Sequence, residues 1–123
     1  MKAALARYWQ VVLFLLFLFW VIFAADTGTF PPFIREIYRF PHGDWVGHLV
    51  LYGILAWLTA RALPRKVDIF VWKLPLSALL VILMAALEEL SQFWFPRRTP
   101  DIYDLSFGIL GIILGTWLAN LRR

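Results

Sequence analysis

Apolar residues in this chain fall into four long runs that short polar stretches separate. Between charged residues, the runs cover positions 8–25, 45–60, 74–87 and 105–121. A helix needs about 20 apolar residues to cross a bilayer. The first and last runs approach this length alone. The second run reaches it when it continues to residue 63. The third run reaches it when the polar residues up to 95 are included. The pattern predicts an all-α, polytopic membrane protein with short loops and four transmembrane helices, at about 8–25, 44–63, 74–95 and 101–121.

The segments between the predicted helices are short, and we expect a single domain over residues 1–123. Apolar residues at positions 33, 34 and 37 share one helical face, which predicts a short helix over 33–40 that lies in the membrane interface. An irregular loop explains so short a segment equally well. The stretch 61–73 is basic, Pro64 ends the second helix, and we expect this loop to contact anionic lipid headgroups.

Basic residues are distributed unevenly between the two ends of the predicted bundle. Four helices place both chain termini and the 61–73 loop on one side of the membrane, and most Lys and Arg residues belong to that side. By the positive-inside rule this side is cytoplasmic. We therefore predict cytoplasmic N- and C-termini in a multi-pass protein of the cytoplasmic (inner) membrane. The net charge of +4 follows from this orientation and does not indicate nucleic-acid binding.

Polar residues on the opposite, outer side form three stretches. They are Asp44-x-x-x-His48-x-x-x-Tyr52, Glu88-Glu89-x-x-Gln92 and Arg97-Arg98-x-x-Asp101-x-x-Asp104. Residues of the first stretch are four apart, so they lie along one stripe of a helix. Acids and a histidine are costly at the edge of hydrocarbon, which marks them as candidate functional residues. We expect the three stretches to meet at the outer interface, between the second, third and fourth helices.

A site of this composition suits acid–base chemistry on a ligand at the outer face of the membrane. His48 and Glu89 are the candidate acid–base pair, and Asp104 or Asp101 would orient His48. Arg98, together with Arg97, would bind a phosphate or carboxylate group of a lipid-linked molecule. Asp104 is thus the third candidate catalytic residue. The other candidate substrate-binding residues are Asp44, Tyr52, Gln92 and Asp101.

Other functions fit the same residues. In a purely structural network, Arg98 would bridge Glu89 and Asp104, and His48 would bond to a carboxylate. A small proton-coupled transporter would use the carboxylates as a relay, although the first and fourth helices offer no polar path to the cytoplasm. The oligomeric state stays open.

A metal centre is a further alternative. His48, Glu89, Asp44 and Asp104 could supply a carboxylate-rich ligand set with one imidazole. The chain has no cysteine, which excludes disulfides and thiolate ligands. Weighing these residues, we predict neither a metal nor another cofactor.

The order and spacing of these motifs resemble the VanZ-like family, which is named after an accessory teicoplanin-resistance protein. The glycines that follow the last motif fit as well, and their spacing predicts close packing of the fourth helix on a neighbour. The matching residues are Asp44, His48, Tyr52, Glu89, Gln92, Pro96, Arg98, Asp101, Asp104, Gly111 and Gly115.

The resemblance implies a small polytopic membrane protein with a link to teicoplanin tolerance or to the cell envelope. Its expected partners are membrane lipids and a lipid-linked envelope precursor or a glycopeptide, and not nucleic acid. The chain departs from the family pattern at three positions. Trp45 stands where the family often has Lys, Arg97 where it often has Gly, and Gly108 where it often has Asn.

The predicted orientation can be tested with a reporter fused after Arg123. Because we expect the C-terminus in the cytoplasm, green fluorescent protein should fluoresce there and alkaline phosphatase should be inactive. The measurement is whole-cell fluorescence and phosphatase activity of the two fusions at equal expression. An active phosphatase would place the C-terminus outside and contradict the prediction.

Overall fold

The structure is a computed structural model that describes residues 2–37, 43–96, 98 and 100–121. Five helices and one pair of strands follow each other along the described chain, and a short 3₁₀ segment, Gln92–Trp94, extends the fourth helix. The elements are α1 (Lys2–Thr27), α2 (Pro32–Ile37), α3 (Gly43–Ala62), β1 (Lys66–Ile69), β2 (Trp72–Pro75), α4 (Leu76–Ser91) and α5 (Ile102–Asn120).

The long helices correspond to those predicted from the apolar runs. α1 begins earlier than predicted, at Lys2, while α3 and α5 have nearly the predicted bounds. α4 is shorter, because β2 occupies the first predicted residues and the 3₁₀ segment the last ones. The predicted interfacial helix corresponds to α2 as far as Ile37, and residues 38–40 lie outside the described part of the chain.

A β-hairpin replaces part of the basic loop that was predicted after the second long helix, so the chain is not purely α-helical. β1 and β2 pair antiparallel, with Asp68 opposite Lys73. Opposite charges at facing positions stabilise such a pair, and the β-branched Val67 and Ile69 favour the extended conformation. Phe70 makes the turn with a positive φ of 56°. The hairpin was not predicted from the sequence, because an alternation of polar and apolar residues over only four positions is hard to recognise in a basic segment.

Three of the described helices are long and apolar enough to cross a membrane, judged by length and composition. They cover Ala6–Thr27, Leu76–Trp94 and Ile102–Asn120. α3 also has 20 residues, yet it does not reach the same apolarity, because residues such as His48 and Arg61 lower its mean hydropathy. The prediction of four transmembrane helices is therefore confirmed for three of them, whereas α3 falls short of this apolarity.

α3 is the central helix of the bundle. It contacts α1, α4 and α5, and its contact with α5 is the most extensive in the described structure. The helices run in alternate directions: Arg7 near the start of α1 donates a hydrogen bond to the carbonyl oxygen of Arg61 at the end of α3, at 3.2 Å. Leu18, Leu55 and Ile112 are buried in the apolar core. As a result, the start of α3, the end of α4 and the start of α5 lie at the same end.

Glycines allow α3 and α5 to approach each other closely. A Cβ atom at Gly111 would collide with the carbonyl oxygen of Leu49, and one at Gly115 with that of Gly53. A Cβ atom at Gly53 would lie 3.3 Å from the carbonyl oxygen of Gly111. Small residues drive helix association in membranes by permitting such backbone contact. The close packing expected from the glycine spacing is confirmed.

We predict that Gly115→Ala destabilises the bundle by about 2 kcal/mol, because the new methyl group meets the fixed backbone of α3. Gly108→Ala is the matched control in the same helix. Its methyl group would lie 3.5 Å from the Tyr52 ring, an ordinary contact, and alanine also favours a helix over glycine. The measurement is the free energy of unfolding in mixed detergent micelles. Equal stability of the two variants would contradict the described packing of α3 on α5.

Candidate functional site

Polar side chains from several elements meet at one end of the bundle. We call this group the polar cluster. It joins the end of α1, the second turn of α3, the last turn of α4 with its 3₁₀ extension, and the segment before α5. Its members are Asp26, His48, Glu88, Glu89, Gln92, Arg98 and Asp101.

His48 faces two carboxylates at the centre of the polar cluster. Its Nε2 atom lies 3.8 Å from Oε2 of Glu88 and 3.7 Å from Oε2 of Glu89. The His48 side chain is 15% exposed, whereas the glutamates are 6% and 10% exposed. The imidazole is therefore the most exposed of the three side chains. This arrangement can exchange protons between the imidazole and a bound group.

The two carboxylates are each held through their other oxygen atom. Oε1 of Glu88 lies 3.3 Å from an Nη atom of Arg98, and Oε1 of Glu89 accepts a hydrogen bond of 2.7 Å from the backbone N–H of Asp101. Both Oε2 atoms lie toward His48, and each of them also accepts a hydrogen bond from Gln92. The segment before α5 fixes this geometry, since it supplies both Arg98 and Asp101.

Gln92 holds the carboxylates of Glu88 and Glu89 in place by hydrogen bonds. It follows α4 directly, so its side chain lies on the same face as both glutamates. Its amide nitrogen donates to Glu88 at 3.0 and 3.1 Å and to Glu89 at 3.3 Å. Gln92 is only 1% exposed, which makes it a positioning group.

Arg98 connects the polar cluster to α1. One Nη atom contacts Oδ1 of Asp26 at 2.8 Å, and the other contacts Glu88. The structure thus pairs Arg98 with Asp26 and Glu88, where the sequence suggested a bridge between Glu89 and Asp104. Asp26 and Glu88 were not among the predicted site residues. The i, i+4 spacing of Glu88 and Gln92 was the available signal for Glu88.

Asp101 is the N-cap of α5. Its Oδ1 atom accepts the backbone N–H of Tyr103 at 2.9 Å, and its Oδ2 atom accepts the indole N–H of Trp45 at 3.3 Å. A carboxylate is favoured there by the free amides of the first turn. Trp45, which departs from the family pattern, thereby ties α3 to the start of α5. Asp104 lies in the first turn of α5 and is buried, with 5% exposure.

The two remaining predicted residues belong to α3. Tyr52 is 3% exposed, and its ring lies beside that of His48, with a centroid distance of 5.9 Å. Its hydroxyl is buried and has no hydrogen-bond partner among the described residues. Asp44 lies in the first turn of α3, and its side chain is outside the described part.

The polar cluster contains more acidic groups than fixed positive charges. Its carboxylates belong to Asp26, Glu88, Glu89 and Asp101. Among the described residues of the cluster, Arg98 supplies the guanidinium that pairs with them. Carboxylates removed from water are costly unless a cation or a proton compensates them. The site therefore suits a proton, a metal cation or a cationic ligand. His48, Glu88 and Glu89 are the described residues whose atoms are spaced to hold a metal ion.

An apolar groove of about 300 Å³ lies between α3 and α5, and residues such as Val50, Ile54 and Leu114 line it. Successive helical residues are turned by about 100°. The α3 residues of the groove consequently lie on the face opposite His48 and Tyr52. The groove faces away from the polar cluster and does not contribute to it.

Comparison with known proteins agrees with the resemblance that the motifs indicated. A family model described as VanZ/LLP1 matches residues 10–123. The matched range includes every member of the polar cluster. Neither curated proteins nor solved structures gave a match. Since the family model covers almost the whole sequence, the chain belongs to the VanZ/LLP1 family.

Proposed function

We propose that this protein binds or modifies a component of the cell envelope through the polar cluster, from the outer face of the cytoplasmic membrane. The observation that carries the proposal is the position of His48, whose Nε2 atom faces oxygen atoms of both Glu88 and Glu89 while its side chain stays partly exposed. A histidine beside held carboxylates is a common arrangement for proton transfer near neutral pH.

In this proposal His48 is the group that touches the ligand, and Glu89 exchanges or stabilises its proton. We give Glu88 the same role as Glu89, because it lies about as close to His48. Asp104 would remain a supporting acid at the start of α5. Arg98 still has N–H groups beyond those that contact Asp26 and Glu88, since a guanidinium carries five donors. These could bind a phosphate of a lipid-linked ligand.

We also propose that α3 crosses the membrane, with the other long helices shielding its polar residues from lipid. Its described exposed residues between positions 45 and 62 are Val46, Val50 and Ile54, which form one apolar stripe. A helix of 20 residues is about 30 Å long, enough for the hydrocarbon core. Its polar residues His48 and Tyr52 face other helices. With α3 across the membrane, the bias of basic residues supports an outward-facing polar cluster.

Family membership supports a link to the cell envelope, and we propose tolerance to teicoplanin as the phenotype. A purely structural network is the second candidate. It is favoured by the contacts of Arg98, which join α1 to α4 through Asp26 and Glu88. Loss of any member would then lower the stability of the bundle and have no separate effect on a ligand.

We predict that Glu89→Gln and His48→Ala reduce teicoplanin tolerance to that of cells without the protein, because each removes one side of the proton-exchanging pair. Removal of such a group typically lowers a rate by about 10²- to 10⁴-fold. The measurement is the minimal inhibitory concentration of teicoplanin in a Gram-positive host, at matched membrane levels. Asp68→Asn is the control, since it removes an exposed carboxylate from the hairpin.

Tolerance in the wild type and the control alone would support the envelope function. Unchanged tolerance in both site variants would refute the proposed roles. Loss of tolerance that always accompanies a loss of unfolding stability would favour the structural network. The stability of each purified variant therefore needs to be measured in parallel.

A further inference from the structure

We propose that His48, Glu88 and Glu89 bind one divalent transition-metal cation, such as Zn²⁺ or Mn²⁺. The ligand atoms would be Nε2 of His48 and the Oε2 atoms of the two glutamates. The inference goes beyond the proposed function, because it holds whether or not the ligand is an envelope component.

The spacing of the three atoms fits a shared ion. Each of the three residues offers a ligand atom within 4.8 Å of those of the other two, and Nε2 of His48 is 3.7 and 3.8 Å from the two Oε2 atoms. Direct N–H···O hydrogen bonds are usually about 2.7–3.2 Å long. Metal bonds of about 2.0–2.2 Å place neighbouring ligand atoms roughly 3–4 Å apart. The separations between the imidazole and the two carboxylate oxygens therefore match those of ligands that share one ion.

The carboxylates are oriented in the way that metal ligands usually are. Arg98 contacts Oε1 of Glu88, and the backbone of Asp101 donates to Oε1 of Glu89. The Oε2 atoms both lie near Nε2 of His48, and both accept from the amide nitrogen of Gln92. Gln92 donates to both side chains and fixes them further. Hydrogen bonds of this kind, made by groups that do not touch the ion, orient metal ligands and raise affinity.

The excess of carboxylates among the described residues of the polar cluster also favours a cation. Arg98 pairs with Asp26 at 2.8 Å and also contacts Glu88 at 3.3 Å, so one guanidinium faces several carboxylates, and those of Glu88 and Glu89 are mostly buried. A divalent cation neutralises both. One or two protons are the alternative way to neutralise them, and the two can be distinguished by experiment.

An independent observation concerns two buried polar groups beside the three ligands. The Tyr52 hydroxyl and Oε1 of Gln92 have no hydrogen-bond partner among the described residues, although these residues are 3% and 1% exposed. Tyr52 lies beside the His48 ring, and Gln92 is bonded to both glutamates. A hydrated cation brings water molecules that donate and accept hydrogen bonds, and so supplies partners for such groups.

The ligand set indicates which ions fit. One imidazole and two carboxylates suit Zn²⁺ or Mn²⁺ rather than soft ions that prefer thiolates. Three protein ligands leave at least one position for water or a ligand, as in catalytic sites rather than closed structural ones. The partial exposure of His48 is consistent with such an open position.

The test is metal binding by the purified full chain in detergent, after removal of metals with a chelator. We expect Zn²⁺ titrated by calorimetry, and Mn²⁺ followed by electron paramagnetic resonance, to reach about one ion per chain. Glu89→Gln and His48→Gln should weaken binding more than tenfold. Gln92→Met, which removes the amide that donates to both glutamates but no proposed ligand, should weaken it by about tenfold. Asp68→Asn should leave it unchanged.

Absence of saturable binding by the wild type, or equal affinity of the wild type and the two ligand variants, would overturn the metal site. Circular dichroism and gel filtration establish that each variant is folded. If a ligand variant does not fold, Co²⁺ bound to the wild type decides the question. A visible absorption band of a four- or five-coordinate ion supports the site, and a purely six-coordinate aqueous spectrum overturns it.

The metal site and the proposed function fail in different ways. Metal binding that depends on His48 and Glu89, with tolerance unchanged in their variants, would refute the envelope function and leave the metal site. Tolerance that depends on both residues in a protein that binds no metal would refute the metal site alone.

Discussion

The main constraint on this structure is the cost of keeping carboxylates out of water. Glu88 and Glu89 lie in the last turn of an apolar helix, and an unpaired charge there is unfavourable by several kcal/mol. These two carboxylates are stabilised by contacts with Arg98, Gln92, His48 and the backbone of Asp101. These groups come from different parts of the chain, so the same requirement determines how α3, α4 and the start of α5 meet.

This requirement separates the bundle into two parts with different roles. In the apolar part, glycines and small residues bring α3 and α5 into contact, and the core has little polar content. At the end of the bundle, the described residues include more acids than Arg98 can pair with. A purely structural network would be expected to balance its charges, because unbalanced buried charge lowers stability. The excess of acid is the physical reason to expect a cation or a ligand there.

Much of the arrangement could be predicted from the sequence, because it follows from helix count and direction. Alternate helices place Asp44–Tyr52, Glu88–Gln92 and Arg98–Asp104 at one end, and the structure brings residues of these stretches together. The pairing within the cluster could not be predicted. Arg98 contacts Asp26, which belongs to the end of α1, more than 70 positions away. The hairpin was not predicted because its strands have only four residues each and contain charged residues, as surface loops do.

The central claim is that position 48 faces position 89 on the outer side of the membrane. The chain contains no cysteine, so introduced thiols can be cross-linked without interference. The most direct measurement treats intact cells that express His48→Cys/Glu89→Cys with a short, membrane-impermeant bifunctional thiol reagent, and detects the intramolecular link after proteolysis. His48→Cys/Leu87→Cys is the control, since Leu87 is exposed on α4. We predict linkage of 48 to 89 and little of 48 to 87. Equal linkage of both pairs, or linkage only after the membrane is opened, would contradict the account.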